Sequence, residues 1–355
     1  MLSVRDCPFP AFGGKSAVAD IVWDAIGDVD RWIEPFAFSA AVTLRRPRHH
    51  RPRLEVINDV NAFVANFWRA TQIDPGAVAD LCNWPVNECD LEARHKWLCE
   101  STRKREFVQR MKDDPSYYDV TIAAYWCWGL AAWIGSGWCK GEWFASNDAR
   151  NNGTDINIAD PERGGKLPRI SDAGTGVHRQ LPHISNAGTG VHRQRPHLAD
   201  AGTGEVERRR SVLREWFGAL RDRLRNVRVC CGDWRRVCDS HSTTLIHAKT
   251  CGVFLDPPYG AEAERVPNIY ADDSLTVAAD VREWCKEWGD VPGMRIVLCG
   301  YEGEHNDLES LGWGVHSWST KGGMANTNKT EGKGKSNRHR ERLWFSPGCG
   351  INTLF

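Results

Sequence analysis

The pattern of apolar and polar positions divides the chain into short buried strands and longer amphipathic helices. Val18, Ile21, Val22, Ala25 and Ile26 recur at helical spacing and predict a first helix. Residues 31–34 predict a short strand ending at Glu34, and a tight loop of small residues then enters a helix or a strand. Residues 54–61 (LEVINDVN) predict a second strand that closes on polar residues, and Phe63, Val64, Phe67 and Trp68 mark the amphipathic helix after it. Residues 74–110 read as polar and helical, with Trp84, Trp97 and Leu98 as core candidates. Residues 117–133 predict a buried helix. Residues 205–225 predict a charged helix with an apolar seam at Val212, Trp216, Leu220 and Leu224. A strand follows at 227–231 (VRVCC), another at Gly252-Val253-Phe254, a helix at 277–288, a buried strand at 295–300 (RIVLCG) and a closing strand at 343–345. Strands alternating with helices argue for an α/β fold.

The run Leu255-Asp256-Pro257-Pro258-Tyr259 ends the most apolar of these strands. Proline has no N–H and a fixed φ, so the pair stops the strand ladder and leaves carbonyls free to accept hydrogen bonds. A carboxylate beside a free carbonyl is an acceptor-only site suited to a primary amine, and Tyr259 offers a flat face for a ring. Asp-Pro-Pro is also an ordinary turn. In open α/β sheets, ligands sit at the carboxyl ends of strands, which makes Glu34 and Asp59 companions of Asp256. Asp59 reads equally as a helix N-cap. The glycine pair Gly13-Gly14, leading into a helix, is a place for an anion or a carboxylate. Gly-Lys-Ser at 14–16 is not a phosphate loop, because Phe9 stands where that motif needs glycine.

Composition changes the picture in a few places. The 355 residues carry 46 basic and 46 acidic side chains, so any nucleic-acid surface must be local. Thirteen cysteines without a C-x-x-C pair, and an N-terminus without an apolar core, predict a cytoplasmic protein with reduced thiols and no metal site. Residues 120–139 carry no charge, but Trp126, Trp128 and Trp133 fall mid-run and 135–137 (GSG) break it; a buried helix is expected rather than a membrane span.

Local basic segments exist. Residues 45–53 (RRPRHHRPR) form a proline-broken loop, a surface turn or a phosphate contact. Arg94, Lys96, Arg103, Lys104, Arg105 and Arg110 would line either a phosphate-facing or a solvated helix face. A 14-residue repeat occupies 167–204 (LPRISDAGTGVHRQ, LPHISNAGTGVHRQ, RPHLADAGTG). Its Gly-Thr-Gly turns can form anion-holding nests, and His178, Arg179, His192 and Arg193 add donors; this suggests a DNA-contacting insertion, the alternative being a surface expansion. Residues 321–342 predict a mobile basic segment that includes Lys333, Lys335 and Arg338.

Taken in order, Gly13-Gly14-Lys15, Glu34-Pro35-Phe36-Ala37-Phe38-Ser39, Asn58-Asp59-Val60-Asn61, a long insert, Gly232-Asp233-Trp234 and Asp256-Pro257-Pro258-Tyr259 resemble the Dam-like adenine-specific DNA methyltransferases. Phe38 stands where that family usually carries glycine. The resemblance implies a Rossmann-like methyltransferase sheet with helices on both faces, plus a mostly helical target-recognition insert. Residues 1–80 and 225–355 would form the catalytic domain, and 81–224 the insert. It further implies S-adenosylmethionine as cofactor: Gly13, Gly14 and Lys15, next to the Phe12 ring, at its methionine end, with Glu34, Phe36 and Ser39 shaping the loop around it. Asp59 would accept the ribose hydroxyls, and Asp233 and Trp234 would flank the adenine. Asp256 and the Pro257 carbonyl would bind the target amine, Pro258 would stiffen the turn, and Tyr259 would stack on a base flipped out of duplex DNA. Arg179, His192, Arg193, Lys333, Lys335 and Arg338 are the DNA-contact candidates. The cytosine exocyclic amine, an RNA substrate and a catalytically inactive DNA-binding relative remain as alternatives. A cognate restriction endonuclease is the partner implied if the enzyme belongs to a restriction–modification pair. No Pro-Cys dipeptide occurs, which argues against ring-carbon cytosine methylation.

Overall fold

A computed structural model describes residues 6–9, 14–133, 138–139, 203–239, 248–258, 276–318 and 339–350. Seven strands form one sheet: β1 Arg31–Glu34, β2 Leu54–Asp59, β3 Val227–Cys231, β4 Cys251–Leu255, β5 Met294–Tyr301, β6 Gly314–Ser317 and β7 Glu341–Phe345. Their order is β3-β2-β1-β4-β5-β7-β6. The pairings among β1 to β5 are parallel, whereas β7 runs antiparallel to β5 and β6. This mostly parallel, helix-flanked sheet is compatible with a Rossmann-like fold. The order reverses direction between β1 and β4, so a crevice is expected at their carboxyl ends.

Side chains alternate across the sheet as the period of two requires. Trp32, Phe254, Val297, Leu343 and Phe345 face α1 (Ala19–Ile26), while Ile57 continues that face against α3 (Ala62–Ile73). Ile33, Val56, Val253, Leu255, Ile296, Leu298 and Trp344 face the other way, where α9 (Arg235–Cys238) and α10 (Val277–Trp288) cover them. A four-residue helix, α2 (Ala41–Leu44), follows β1 and resolves the helix-or-strand alternative there. β6 was not apparent from the sequence: Gly314–Ser317 is half-exposed and short, so it carries no apolar run.

The polar stretch after α3 folds as α4 (Pro75–Cys82), α5 (Glu88–Cys99) and α6 (Ser101–Asp113), each opened by a capping side chain. Asp74 accepts from the Ala77 N–H at 3.1 Å, Asn87 from Asp90 at 2.8 Å, and Glu100 from Thr102 and Arg103. The predicted buried helix is α7 (Val120–Ala132), capped by Asp119. Among the described residues no helix is long and apolar enough to cross a membrane. α8 (Thr203–Leu224) leads back to β3. α3, α4, α7 and α8 share one core with Ile57 and Val227, so the expected boundary at residue 80 falls inside a helix of that shared core. Arg69 secures the junction: it is buried and donates to the carbonyls of Val229, Met111, Asp114 and Tyr117.

Two expectations for this layer fail. Trp84 is 47% exposed rather than core; its Nε1 donates to Asp90. Arg94 is buried, neither solvated nor phosphate-facing. Its guanidinium lies 4.2 Å from the ring centroids of both Tyr125 and Trp128, because flat aromatic faces replace part of its lost hydration. Arg103 and Arg110 likewise lie over Trp97 and Tyr117.

Candidate functional site

The three adjacent strands at the reversal point deliver one acid each. β1 ends in Glu34, β2 in Asp59, and Asp256 follows the last residue of β4. Their spacing follows from the parallel register, in which Ile33 sits beside both Val56 and Val253. Pro257 is buried and Pro258 half-buried next to Asp256.

Lys15 comes from a 3-10 turn, Lys15–Ala17, that precedes α1, and Gly14 stands just before it. The Lys15 Nζ lies 3.0 Å from Asp256 Oδ1, and Lys15 is only 6% exposed. The sequence resemblance put Lys15 at the methionine end of the cofactor; in the structure it pairs with Asp256. Burial opposes the Lys15 charge, but Asp256, Glu341 and Cys299 outweigh it and the ammonium is held well above its ordinary pKa. Asp256 is itself pushed up by burial, against the pull of Lys15 and a hydrogen bond from Cys299. Glu34 is 2% exposed and burial raises its pKa to about 7, although its Oε2 accepts from the Thr43 N–H at 2.9 Å and from the Thr43 hydroxyl. Among the described residues, acids therefore exceed bases in this corner.

The loop after β1 is held from both sides. Asp59 Oδ2 accepts from the Phe38 N–H at 2.9 Å, and Oδ1 accepts from the Asn61 N–H at 2.8 Å. The helix N-cap is Asn61, which accepts from Phe63, so Asp59 is not the cap but the loop's anchor. Trp68 Nε1 donates to the Phe38 carbonyl at 2.9 Å. These bonds fix Phe38 at φ 33°, and Ala40 sits at φ 48°, both in the left-handed region that side chains other than glycine rarely adopt. Ser39 is buried between them. Asn58, buried in β2, donates from Nδ2 to the carbonyls of Pro35 and Gly232 at 3.1 and 2.9 Å and so joins the loops after β1 and β3.

Phe36 and Trp234 form an aromatic wall there, ring centroids 6.0 Å apart at 35°. Trp234 is buried, whereas Asp233 is exposed and accepts from the Arg235 N–H. The structure thus gathers Gly14, Lys15, Glu34, Phe36, Ser39, Asp59, Asp233, Trp234, Asp256, Pro257 and Pro258 onto loops at one end of the sheet. Phe12, Gly13 and Tyr259 lie outside the described residues, as do Arg179, His192, Arg193, Lys333, Lys335, Arg338 and the repeat up to residue 202. Residues 45–53 precede β2 and so lie at the opposite, amino end. Arg45 pairs with Asp6 and Arg46 with Glu55 there.

Sequence reasoning passed over Thr43, Cys299 and Glu341. Thr43 and Cys299 sit inside elements whose pattern speaks only of packing; Glu341, an acid 5% exposed at the start of β7, falls at the end of the segment expected to be mobile and basic. Among the described residues no group of histidine, cysteine or acid side chains could hold a metal ion. No family model matches the sequence, and no curated protein does. Chemically, the arrangement offers a carboxylate with a cation behind it, a second acid titrating near neutrality, a hydroxyl acceptor at Asp59 and an aromatic wall.

Proposed function

We propose that this chain is an S-adenosylmethionine-dependent DNA methyltransferase acting on the exocyclic N6 amine of adenine in duplex DNA. The observation that carries the reading is Asp256. It is a carboxylate at the tip of β4, beside the reversal of strand order, followed by a buried proline and backed by Lys15 at 3.0 Å. Lys15 favours the ionised form that must accept hydrogen bonds from an amine. The order of motifs along the sequence adds the family resemblance, and the loop geometry suits the cofactor. Asp59 stands at the end of β2, the strand end that suits the ribose hydroxyls, and Phe36 with Trp234 makes a face for the adenine ring.

The cofactor, when bound, supplies an electrophilic methyl group. Asp256 and the Pro257 carbonyl accept the two hydrogens of the target amine, which draws its lone pair out of conjugation with the ring. Lys15 holds Asp256 in place and charged while the flipped base enters. Positioning of the lone pair against the methyl then does most of the work. No cysteine takes part.

The test is transfer of labelled methyl groups from S-adenosylmethionine to duplex DNA by the full chain, followed by nucleoside analysis. N6-methyladenine is the expected product. Asp256→Asn should lower kcat by about 10²–10³-fold, the range for losing one oriented electrostatic contact, while DNA binding persists. Wild-type transfer by that variant would remove Asp256 from the chemistry. Methylated cytosine would change the target base. No cofactor binding by calorimetry would favour an inactive DNA-binding relative.

A further inference from the structure

A second reactive corner lies in the helical layer. His95 and Cys99 are one turn apart on α5, and Cys139, beyond the end of α7, is seated against them. The Cys139 N–H donates to His95 Nε2 at 3.0 Å, and Lys104 Nζ donates to the Cys139 carbonyl at 3.2 Å. Trp138 stacks on the His95 ring at 4.9 Å, and Trp133 lies 5.1 Å from it. Cys139 is held at φ 62°, a conformation that a cysteine keeps only when its surroundings impose it. All thirteen cysteines are free thiols.

The two sulfurs are unequal. Cys99 is half-exposed; a hydrogen bond from Cys139, opposed by burial and helped by His95 and Lys104, draws its thiol down to about 5. Cys139 is buried, and burial together with the neighbouring Cys99 pushes its thiol well up. His95 Nε2 accepts from the Cys139 N–H, so the imidazole ties the segment that carries Cys139 to the helix that carries Cys99, and His95 also helps to lower the Cys99 thiol. Cys89 is exposed, and Cys7 and Cys230 are pushed up by burial.

We propose that Cys99 and Cys139 form a peroxide-reactive thiol pair, in which Cys99 attacks the oxidant and Cys139 resolves the product to a disulfide. The Cys99 thiolate takes one oxygen from hydrogen peroxide, breaking the O–O bond and giving a sulfenic acid and hydroxide. The Cys139 thiol then displaces the sulfenic oxygen as water and closes the S–S bond. Two electrons pass from the thiols to the peroxide, and a dithiol reductant reverses the change. The bond closes a covalent loop around α6 and α7. Trp126 of α7 touches Phe9 and Phe38, so the clamp reaches the helix that borders the loop after β1. The proposal does not rest on the methyl-transfer reading.

The test uses the native full chain. Iodoacetamide at about pH 6 should alkylate Cys99 at least roughly tenfold faster than the more exposed Cys89, since only a thiolate reacts. One equivalent of hydrogen peroxide should then consume two thiols and yield a Cys99–Cys139 cross-linked peptide that dithiothreitol removes. In Cys139→Ser the sulfenic acid should persist at Cys99 and be trapped by dimedone. Equal alkylation of Cys89 and Cys99, or a peroxide-treated protein without the cross-linked peptide, would overturn the pair. Both wild-type measurements decide it even if the serine variant does not fold.

Discussion

Two clusters of buried charge flank β1 and β2, and they follow opposite rules. Toward the amino end of β2, Glu55 is 4% exposed and receives two guanidiniums. Arg46 approaches to 2.7 Å, and Arg223 binds both carboxylate oxygens at 2.8 and 3.0 Å. Arg223 also donates to the Thr43 carbonyl, which ties the end of α8 to α2. At the carboxyl end, Lys15 faces Asp256 and Glu341, with Glu34 close enough to feel Asp256. Thr43 touches both clusters, since its hydroxyl and N–H serve Glu34. A buried charge without full compensation costs free energy, so the first cluster reads as structure, and the second is where the proposed methyl-transfer site would lie.

That distinction breaks first at Glu55. Glu55→Ala should cost about 3–5 kcal/mol in urea unfolding, because it strands two buried guanidiniums, yet leave methyl transfer per folded molecule unchanged. Normal stability would show that the amino-end cluster is not structural.

The next test is pH. Glu34 holds its proton up to about pH 7 in the folded chain, against 4.5 for the unexceptional group. Between those values the unfolded chain releases the proton and the folded chain keeps it, so stability should fall as pH rises from about 4.5 to 7, then level off. The loss is on the order of 3 kcal/mol, and Glu34→Gln should remove this part of the slope. A Glu34→Gln curve parallel to wild type would mean that Glu34 is already compensated.

Lys15→Met addresses the cation on Asp256. In the proposed mechanism Asp256 acts ionised, and burial raises its pKa, so activity should fall on the acid side at a higher pH than an ordinary carboxylate would set. Without Lys15 that acid limb should move further up. Transfer near pH 7 should then drop roughly tenfold and recover as pH rises, in keeping with about one pKa unit of lost interaction. A loss equal at every pH would show that Lys15 acts on something other than the Asp256 charge.

The comparison also explains which parts were legible in the sequence. Strands β1 to β5 and helices α1, α3, α7, α8 and α10 follow from apolar periodicity because the sheet buries both faces and the helices bury one. Glu34, Asp59 and Asp256 could be placed because an acid at the end of an apolar strand breaks the pattern. Pairings between distant segments could not be read. Lys15 meeting Asp256, Arg223 meeting Glu55 and Arg94 entering an aromatic sandwich all depend on register and packing across more than thirty residues of chain. Arg94 is the instructive miss: a basic residue on a polar helix reads as solvated until its aromatic neighbours arrive from α7.

Backbone strain sharpens the contrast between the two ends. The turn into β1 at the amino end uses Gly27 at φ 66°, which costs glycine little, and the Arg295 guanidinium lies where a side chain would go. The turn out of β1 at the carboxyl end uses Phe38 and Ala40 at similar angles, so it stores strain that Asp59 and Trp68 hold in place. Phe38→Ala and Phe38→Gly both remove the ring from its contacts with Phe9 and Trp126, and only glycine relieves the φ. Phe38→Gly should therefore be the more stable variant by about 1 kcal/mol in urea unfolding. Its Asp59 contact should also be looser and its cofactor affinity lower than that of Phe38→Ala, because the flexible loop no longer presents Asp59 in one geometry. Equal stability of the two variants would mean that the loop relaxes once the ring is gone, and that the aromatic packing, rather than the Asp59 and Trp68 hydrogen bonds, imposes the angle.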